Sequence, residues 1–266
     1  MYRTEARSSA LRLGVTTRTE GPSLLSQAQL ETPARVITQN AVLAELGEDD
    51  LALIAPYLQL VELAREQRLE RRGRPLEYVH FIERGIACGI SDDLGGHGVE
   101  IGMIGREGVV GIQALLGGGC SPHDVQMLTP GAARRAPAAR VREAMDDSAS
   151  FRRAICSYVH NFLLQVMRAA QVNARATLES RLARWLLMMH DRVEGDELHV
   201  THDKLASMLG VRRAGVSVAA KKLERSGVIL LHRGAIMIQD RNALEENAHG
   251  AYGRADRNPP ETILRA

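Results

Sequence analysis

From Ser148 to Ala174 the chain reads SASFRRAICSYVHNFLLQVMRAAQVNA, 27 residues without glycine or proline. Apolar side chains recur there at a period near 3.6, which predicts one helix roughly 40 Å long. Ile155, Val159, Phe162, Leu163, Val166, Ala169, Ala170 and Val172 lie along one side of it. The stripe is wide enough to cover the helix's own domain and to meet a second helix. Ile155, Val159, Phe162, Leu163, Val166 and Ala170 are therefore read as a dimer interface. The same period returns in TLESRLARWLLMMHDRV (177–193), where Leu178, Leu182, Trp185, Leu186 and Met189 share a face and read as core.

Ahead of the long helix the pattern differs. NAVLAELGEDDLALIAPYL (40–58) predicts short helices capped by Asn40 and by Asp49 or Asp50. LQLVELA (58–64), YVHFIERGIACGI (78–90), GVEIGMIG (98–105) and DVQMLTPGAA (124–133) are short, alternating or β-branched, and separated by turn residues. Strands at such regular spacing predict a compact antiparallel barrel or roll.

After the second helix, THDKLASMLGVRRAGVSVAAKKLERSGVI (201–229) places Thr201 as the cap of a short helix that buries Leu205, Met208 and Leu209. Gly210 frees the backbone for a tight turn, and Val216, Ala219, Ala220 and Leu223 resume an apolar face. The opposite face carries Arg212, Arg213, Ser217, Lys221, Lys222 and Arg225. Gly227 ends this helix, and VILLHRGAIMIQD (228–240) reads as two strands around Arg233 and Gly234, a wing. Capped helix, glycine turn, basic helix and hairpin together predict a winged helix-turn-helix that binds double-stranded DNA.

Charge agrees with that placement. The formal net charge is only +2, but Arg175–Arg241 holds 12 Arg/Lys against 8 Asp/Glu, a local +4. Aromatic residues make up 3%, too few to stack unpaired bases, which argues against single-strand or RNA binding. The three cysteines, Cys88, Cys120 and Cys156, form neither a CxxC pair nor a disulfide framework and read as buried or half-buried thiols of a reducing compartment. No apolar stretch is long enough to span a bilayer, and the first residues lack the apolar core of a secretion signal, so no membrane partner and a cytoplasmic location are expected. The expected organisation is a flexible tail (1–37), a roll (38–147), the long helix (148–176), the winged helix-turn-helix (177–247) and a second flexible tail (248–266).

From about residue 38 to 247 the order of roll, long helix and winged helix-turn-helix resembles the Crp/Fnr family of bacterial transcription factors. The segments RLARWLLMMHDRV, MLGVRRAGVSVAAKKLERSGVI and RGAIMIQDRNALE carry the resemblance most strongly. It implies an α+β fold: an N-terminal cyclic-nucleotide-binding-like β-roll, a long central dimerisation helix and a C-terminal winged helix-turn-helix. It also implies a homodimer whose two recognition helices enter major grooves about 34 Å apart on a near-palindromic site, and RNA polymerase as a partner. Many relatives begin the recognition helix with Arg-Glu and place another Arg four residues after the Glu. Here those positions are Arg213, Ala214 and Val218, so only the first is kept. Arg213, Ser217 and Val218 are assigned to base edges, with Arg213 able to hold guanine O6 and N7. Thr201, Arg212, Lys221, Lys222 and Arg233 are assigned to the DNA backbone.

The sensor half departs from the relatives that bind cyclic nucleotides. Gly105, Arg106, Glu107 and Gly108 mark the candidate effector pocket, but CSPHDVQ (120–126) has no arginine for a cyclic phosphate, which leaves only Arg106 as a substitute. A buried phosphate without a counter-charge is costly, so the sequence argues against a cyclic nucleotide. It argues against an iron–sulfur cluster too, because no cysteine precedes Cys88. His80, His97 and His123 read as surface or turn residues rather than haem ligands, and His199 and His202 flank a strand and a helix cap rather than a metal. No cofactor and no metal are identified. GMIGREGVVG (102–111) is neither a dinucleotide fingerprint nor a phosphate loop, and no nucleophile stands beside a base, so no catalytic residue is assigned and the chain is not read as an enzyme. The competing reading is a regulatory or protein-interaction module whose helix-turn-helix no longer functions.

Overall fold

The computed structural model describes residues 37–91 and 98–257. Two short helices lead in, α1 (Ala41–Ala44) and α2 (Glu48–Ile54), followed by a 3-10 turn at Ala55–Tyr57. Asn40 caps α1, accepting from Leu43 N. The cap of α2 is Gly47, not Asp49 or Asp50. Both aspartates lie in the first turn, where their charge favours the helix N-terminus, and Asp50 accepts a hydrogen bond from Ser148.

Among the described residues eight strands build the roll: β1 (Gln59–Leu63), β2 (Arg68–Glu70), β3 (Tyr78–Arg84), β4 (Ala87–Ser91), β5 (Val99–Ile104), β6 (Val109–Val110), β7 (Asp124–Met127) and β8 (Gly131–Pro137). They pair antiparallel in two four-stranded sheets, ordered β1-β8-β3-β6 and β2-β7-β4-β5. Leu63, Ile82, Ala87, Ile104, Val110, Val125, Met127 and Ala133 form a common core for the two sheets. The alternating run 78–90 is broken into β3 and β4 by Gly85, whose φ is 81°. A Cβ there would lie 2.6 Å from Pro130 O, so the turn between β3 and β4 and the turn before β8 can touch only because this residue has no side chain.

Helices α3 (Ile112–Leu115) and α4 (Ala138–Asp147) close the roll, and α5 (Ala149–Arg175) leaves it. Ser148 stands between α4 and α5 and caps α5, accepting from Phe151 N. One face of α5 is sealed against the roll. Phe151, Ile155 and Tyr158 are buried in its core, the Tyr158 hydroxyl donates to Val109 O at 3.0 Å, and Gln165 Oε1 accepts from Met103 N at 2.9 Å. Phe162 rests on Gly102 of β5, where a Cβ would lie 2.7 Å from its ring.

The C-terminal part contains α6 (Leu178–His190), β9 (Glu197–Leu198), α7 (His202–Leu209), α8 (Arg213–Arg225), β10 (Ile229–His232), β11 (Ala235–Ile238) and α9 (Arg241–Asn247). The strands form one antiparallel sheet, β10-β11-β9. Leu182, Trp185, Leu186, Leu205, Val216, Leu223, Ile236 and Leu244 belong to a single core, which extends to Cys88 and Met103 of the roll. Together these elements are the expected α+β architecture of roll, long helix and winged helix-turn-helix.

Two expectations need correction. The expected C-terminal tail is ordered and packed as far as it is described: Ala248, Ala251, Tyr252 and Asp256 are buried, and only 258–266 lie outside the described residues. Of the cysteines, Cys88 is buried, and burial together with Glu100 pushes its thiol pKa up, but Cys120 and Cys156 are exposed. The expected N-terminal tail lies outside the described residues except for exposed Ile37.

Asn40 ties the lead-in to the roll, its Nδ2 donating to Ile82 O at 2.9 Å, Arg106 O at 3.2 Å and Gly108 O at 2.8 Å. Asn40→Ala removes a cap and leaves buried carbonyls without a donor, so unfolding free energy should fall by about 2–4 kcal/mol in urea titration. A loss under about 0.5 kcal/mol, the range of ordinary surface changes, would show that these carbonyls find other partners.

Candidate nucleic-acid interface

The basic helix is positioned by the elements before and after it. Thr201 caps α7 by accepting from Lys204 N. Gly210 then turns the chain in the left-handed region, φ 64° and ψ 38°, and a Cβ on it would lie 3.1 Å from Val99 of β5. Ser207 Oγ donates to Gly98 O at 2.9 Å, so the turn between the two helices is seated on the roll. Val216, Ala219, Ala220 and Leu223 bury the inner face of α8. Glu224 accepts from Leu231 N at 3.0 Å and pins the wing to α8.

The opposite face of α8 is open. Arg212, Arg213, Ala214, Val218, Lys221, Lys222 and Arg225 are exposed, with Val218 at 57%. Arg213 Nε meets Asp203 at 3.2 Å, but both side chains are largely solvated, so the pair costs little to exchange for another anion. Lys222 pairs with Glu179 of α6. Ser217 is half-buried, its hydroxyl 3.1 Å from His202 Nδ1, and it links α7 to α8. Exposed Thr201 stands at the start of α7 and exposed Arg233 at the tip of the wing, where Gly234 has φ 80°. Arg212, Arg213, Val218 and Lys221 thus share one continuous surface of α8, and Ser217 lies at its edge. The 3.6-residue period already separated this face from the core face.

The match that decides the domain's family is local: residues 180–247 match the Crp-like helix-turn-helix domain. Residues 180–247 form a Crp-like helix-turn-helix domain. The chain's described fold is similar to that of a CRP-family transcriptional regulator of Thermus thermophilus, at 20% identity and TM-score 0.64 over 73% of this chain and 98% of the other. A putative Crp/Fnr-family regulator from Eubacterium rectale aligns at 17% identity and TM-score 0.65 over 80% and 99%. FixK2 from Bradyrhizobium japonicum aligns at 17% and 0.62 over 74% and 98%. No curated protein sequence matches the chain. A Crp-like domain is a DNA-binding domain, carried here on the Crp/Fnr fold. No helix among the described residues is long and apolar enough to cross a membrane.

The seam expected on α5 is divided by the structure. Ile155 is wholly buried in the roll's own core and unavailable to a partner, which corrects its assignment to the dimer interface. Val159, Phe162 and Val166 are half-buried, while Leu163 and Ala170 are exposed. The outward face is Cys156, His160, Leu163, Met167, Ala170 and Ala174, all exposed, with Leu163 at 54% and Met167 at 59%. Their spacing alternates four and three residues, the 3.5 repeat of a coiled-coil seam. Cys156, His160, Met167 and Ala174 were missed because a stripe on one helix does not say which edge its own domain covers.

The residues of the candidate effector segment do not share one pocket. Glu107 Oε1 accepts from Gly105 N at 2.9 Å and from Arg192 Nε at 2.8 Å. Gly105 is packed against Arg192, and Gly108 against Tyr158 and Ile104. Gly105 and Glu107 therefore form a joint to Arg192 of the C-terminal part, and Gly108 packs on α5 and β5, positions that correct their assignment as pocket lining. Arg106 is exposed and, with Arg65, Arg84 and Arg192, lines a cleft of about 580 Å³ beside the α6–β9 connection. In the roll proper, the buried carboxylate of Glu70 accepts from Gly111 N at 2.8 Å and from the Ser121 hydroxyl at 2.5 Å; burial raises its pKa.

Among the histidines, His97 lies outside the described residues and His123 is half-buried. His80 is not a surface residue: it lies buried in the middle of β3. Burial and then the charge of Arg135 bring its pKa down from 6.5 to about 4. The unfolded chain takes up this proton first. Stability from neutral His80 is therefore complete above pH 6.5 and is lost as pH falls from 6.5 toward 4, by at most ~1.4 kcal/mol per pH unit. His80→Gln should flatten this slope in denaturant titrations between pH 7 and pH 4.5, whereas an unchanged slope would place the acid sensitivity elsewhere.

Proposed function

We propose that the chain is a sequence-specific transcriptional regulator that binds a near-palindromic duplex as a homodimer. The observation that carries this reading is the solvent-facing cationic surface of α8, held at its back by a packed core and at its side by the wing. Arg213 reads a base edge, Val218 offers a methyl contact to thymine, and Ser217 approaches from the edge of the same face. Thr201, Arg212, Lys221, Lys222 and Arg233 hold phosphates. The exposed 3.5-residue seam on α5 supports pairing with a second copy, with Leu163, Met167 and Ala170 at its middle. RNA polymerase is the partner that the resemblance to Crp/Fnr regulators suggests, and the cytoplasm is the compartment in which such a regulator meets its DNA.

The sensor half works, in this proposal, without a cyclic nucleotide or an iron–sulfur cluster. The carboxylate of Glu107 is committed to Arg192, and the donors Gly111 N–H and Ser121 Oγ–H are taken up by the chain's own Glu70. The residues present do not fit a cyclic phosphate. Among the described residues no group of three or more His, Cys, Asp or Glu is placed to hold a metal ion.

Selection of bound duplexes from a random pool at two salt concentrations tests the reading. The selected sites should be near-palindromic and their affinity should fall linearly on a log–log salt plot. Arg213→Ala should erase preference at one base pair in each half-site, about 1–3 kcal/mol or roughly 5- to 150-fold. Uniform weakening on every sequence would make Arg213 a phosphate contact, and salt-independent or absent duplex binding would favour an interaction module.

A further inference from the structure

The segment after α9, Ala248–Arg257, lies beyond the part of the chain that matches the Crp-like domain, and it is fastened on several sides. Asp256 is fully buried; its Oδ1 accepts from Arg184 Nε at 3.1 Å and Nη2 at 2.6 Å, and its Oδ2 accepts from Gly253 N at 3.0 Å. The Tyr252 hydroxyl donates to Asp191 at 2.6 Å and accepts from Arg241 at 3.0 Å. From the long helix, Arg168 donates to the carbonyls of Gly250 and Ala251. The segment therefore straps α6, α9 and α5 together.

One guanidinium connects this strap to the roll. Arg192 follows α6, and its side chain is 1% exposed. Its Nε donates to Glu107 in the Gly105–Gly108 turn at 2.8 Å, and its Nη1 to Met188 O at 2.8 Å and Asp256 O at 3.3 Å. A charge so enclosed is costly to leave without a partner, so the loss of one of its bonds strains the others. We propose that Arg192 and the strap are a latch that fixes the winged helix-turn-helix against the long helix and transmits movement of the Gly105–Gly108 turn to it. Arg192 also lines the cleft of about 580 Å³, so the latch borders a space open to solvent. Movement at the turn draws on Arg192 through Glu107 and is passed to the backbone of the strap at the Asp256 carbonyl and to the end of α6 at the Met188 carbonyl. Coupling of this kind is reciprocal: what opens the strap must also open the turn.

Amide hydrogen exchange on the full chain, without DNA, tests the latch independently of the proposed DNA-binding function. Glu107→Gln should accelerate exchange in 248–257 at least tenfold, and Asp256→Asn should accelerate exchange in 105–110 by a similar factor. Tyr252→Phe, which leaves every charge in place, should loosen the strap and the turn together and serves where either charge variant fails to give the far-ultraviolet circular dichroism of the folded chain. Acceleration confined to the substituted side of Arg192 in these variants would overturn the proposal.

Discussion

A single helix carries two different faces, and its turn of 3.6 residues decides which side chains stand on which. The inner face of α5 inserts Phe151, Ile155 and Tyr158 into the roll, and further along it lays Phe162 and Gln165 on β5. If that face were not filled, the roll's core would open at Val109 and Met103, which are bonded to α5 through Tyr158 and Gln165. With it filled, the outer face stays exposed among the described residues. Leu163 and Met167 are 54% and 59% exposed, so covering what remains of each with a second copy would contribute about 1–1.5 kcal/mol.

The same logic fixes the basic helix. Its apolar side is spent on α6 and on the wing, its leading turn rests on β5 through Gly210 and Ser207, and its charged side is left outward. Charge is handled differently at depth. Arg184, Arg192, Glu100, Glu107 and Asp256 meet between the roll and the C-terminal part, with the Trp185 indole donating to Glu100 at 2.5 Å. Burial raises the pKa of Glu100 against the pull of Trp185, Arg184 and Arg192. Arg192 feels burial first as well, yet Glu107 keeps its pKa raised and its charge in place. Surface cations are thus left free to exchange partners, while interior ones are bound to a single arrangement.

Much of this was legible in the residues, and the failures have physical causes. The long helix, the glycine turn at Gly210 and the two faces of α8 follow from period and backbone freedom. Ile155 and Cys156 are neighbours in sequence and lie on opposite sides of the buried boundary, and the inner face holds polar Gln165 while the outer holds Leu163. Composition cannot orient such a stripe. Strands β2 and β6 are three and two residues long and carry no readable alternation. The strap looks like a tail because its anchors are remote: Asp256 finds Arg184 across 72 positions, and nothing local to RADR announces it. Glu107 was read as facing a ligand for the same reason, since its partner Arg192 stands 85 residues away.

The outward face of α5 and the outward face of α8 belong to one account only if two chains present their recognition helices to one duplex at a fixed separation. The direct measurement is affinity and stoichiometry on duplexes whose two half-sites are one helical turn apart, compared with the same half-sites moved by about five base pairs, half a turn. The account predicts two chains per duplex at the natural spacing and at least a hundredfold loss of affinity when one half-site is rotated to the far side. Equal affinity at both spacings, with each half-site filled independently, would contradict it.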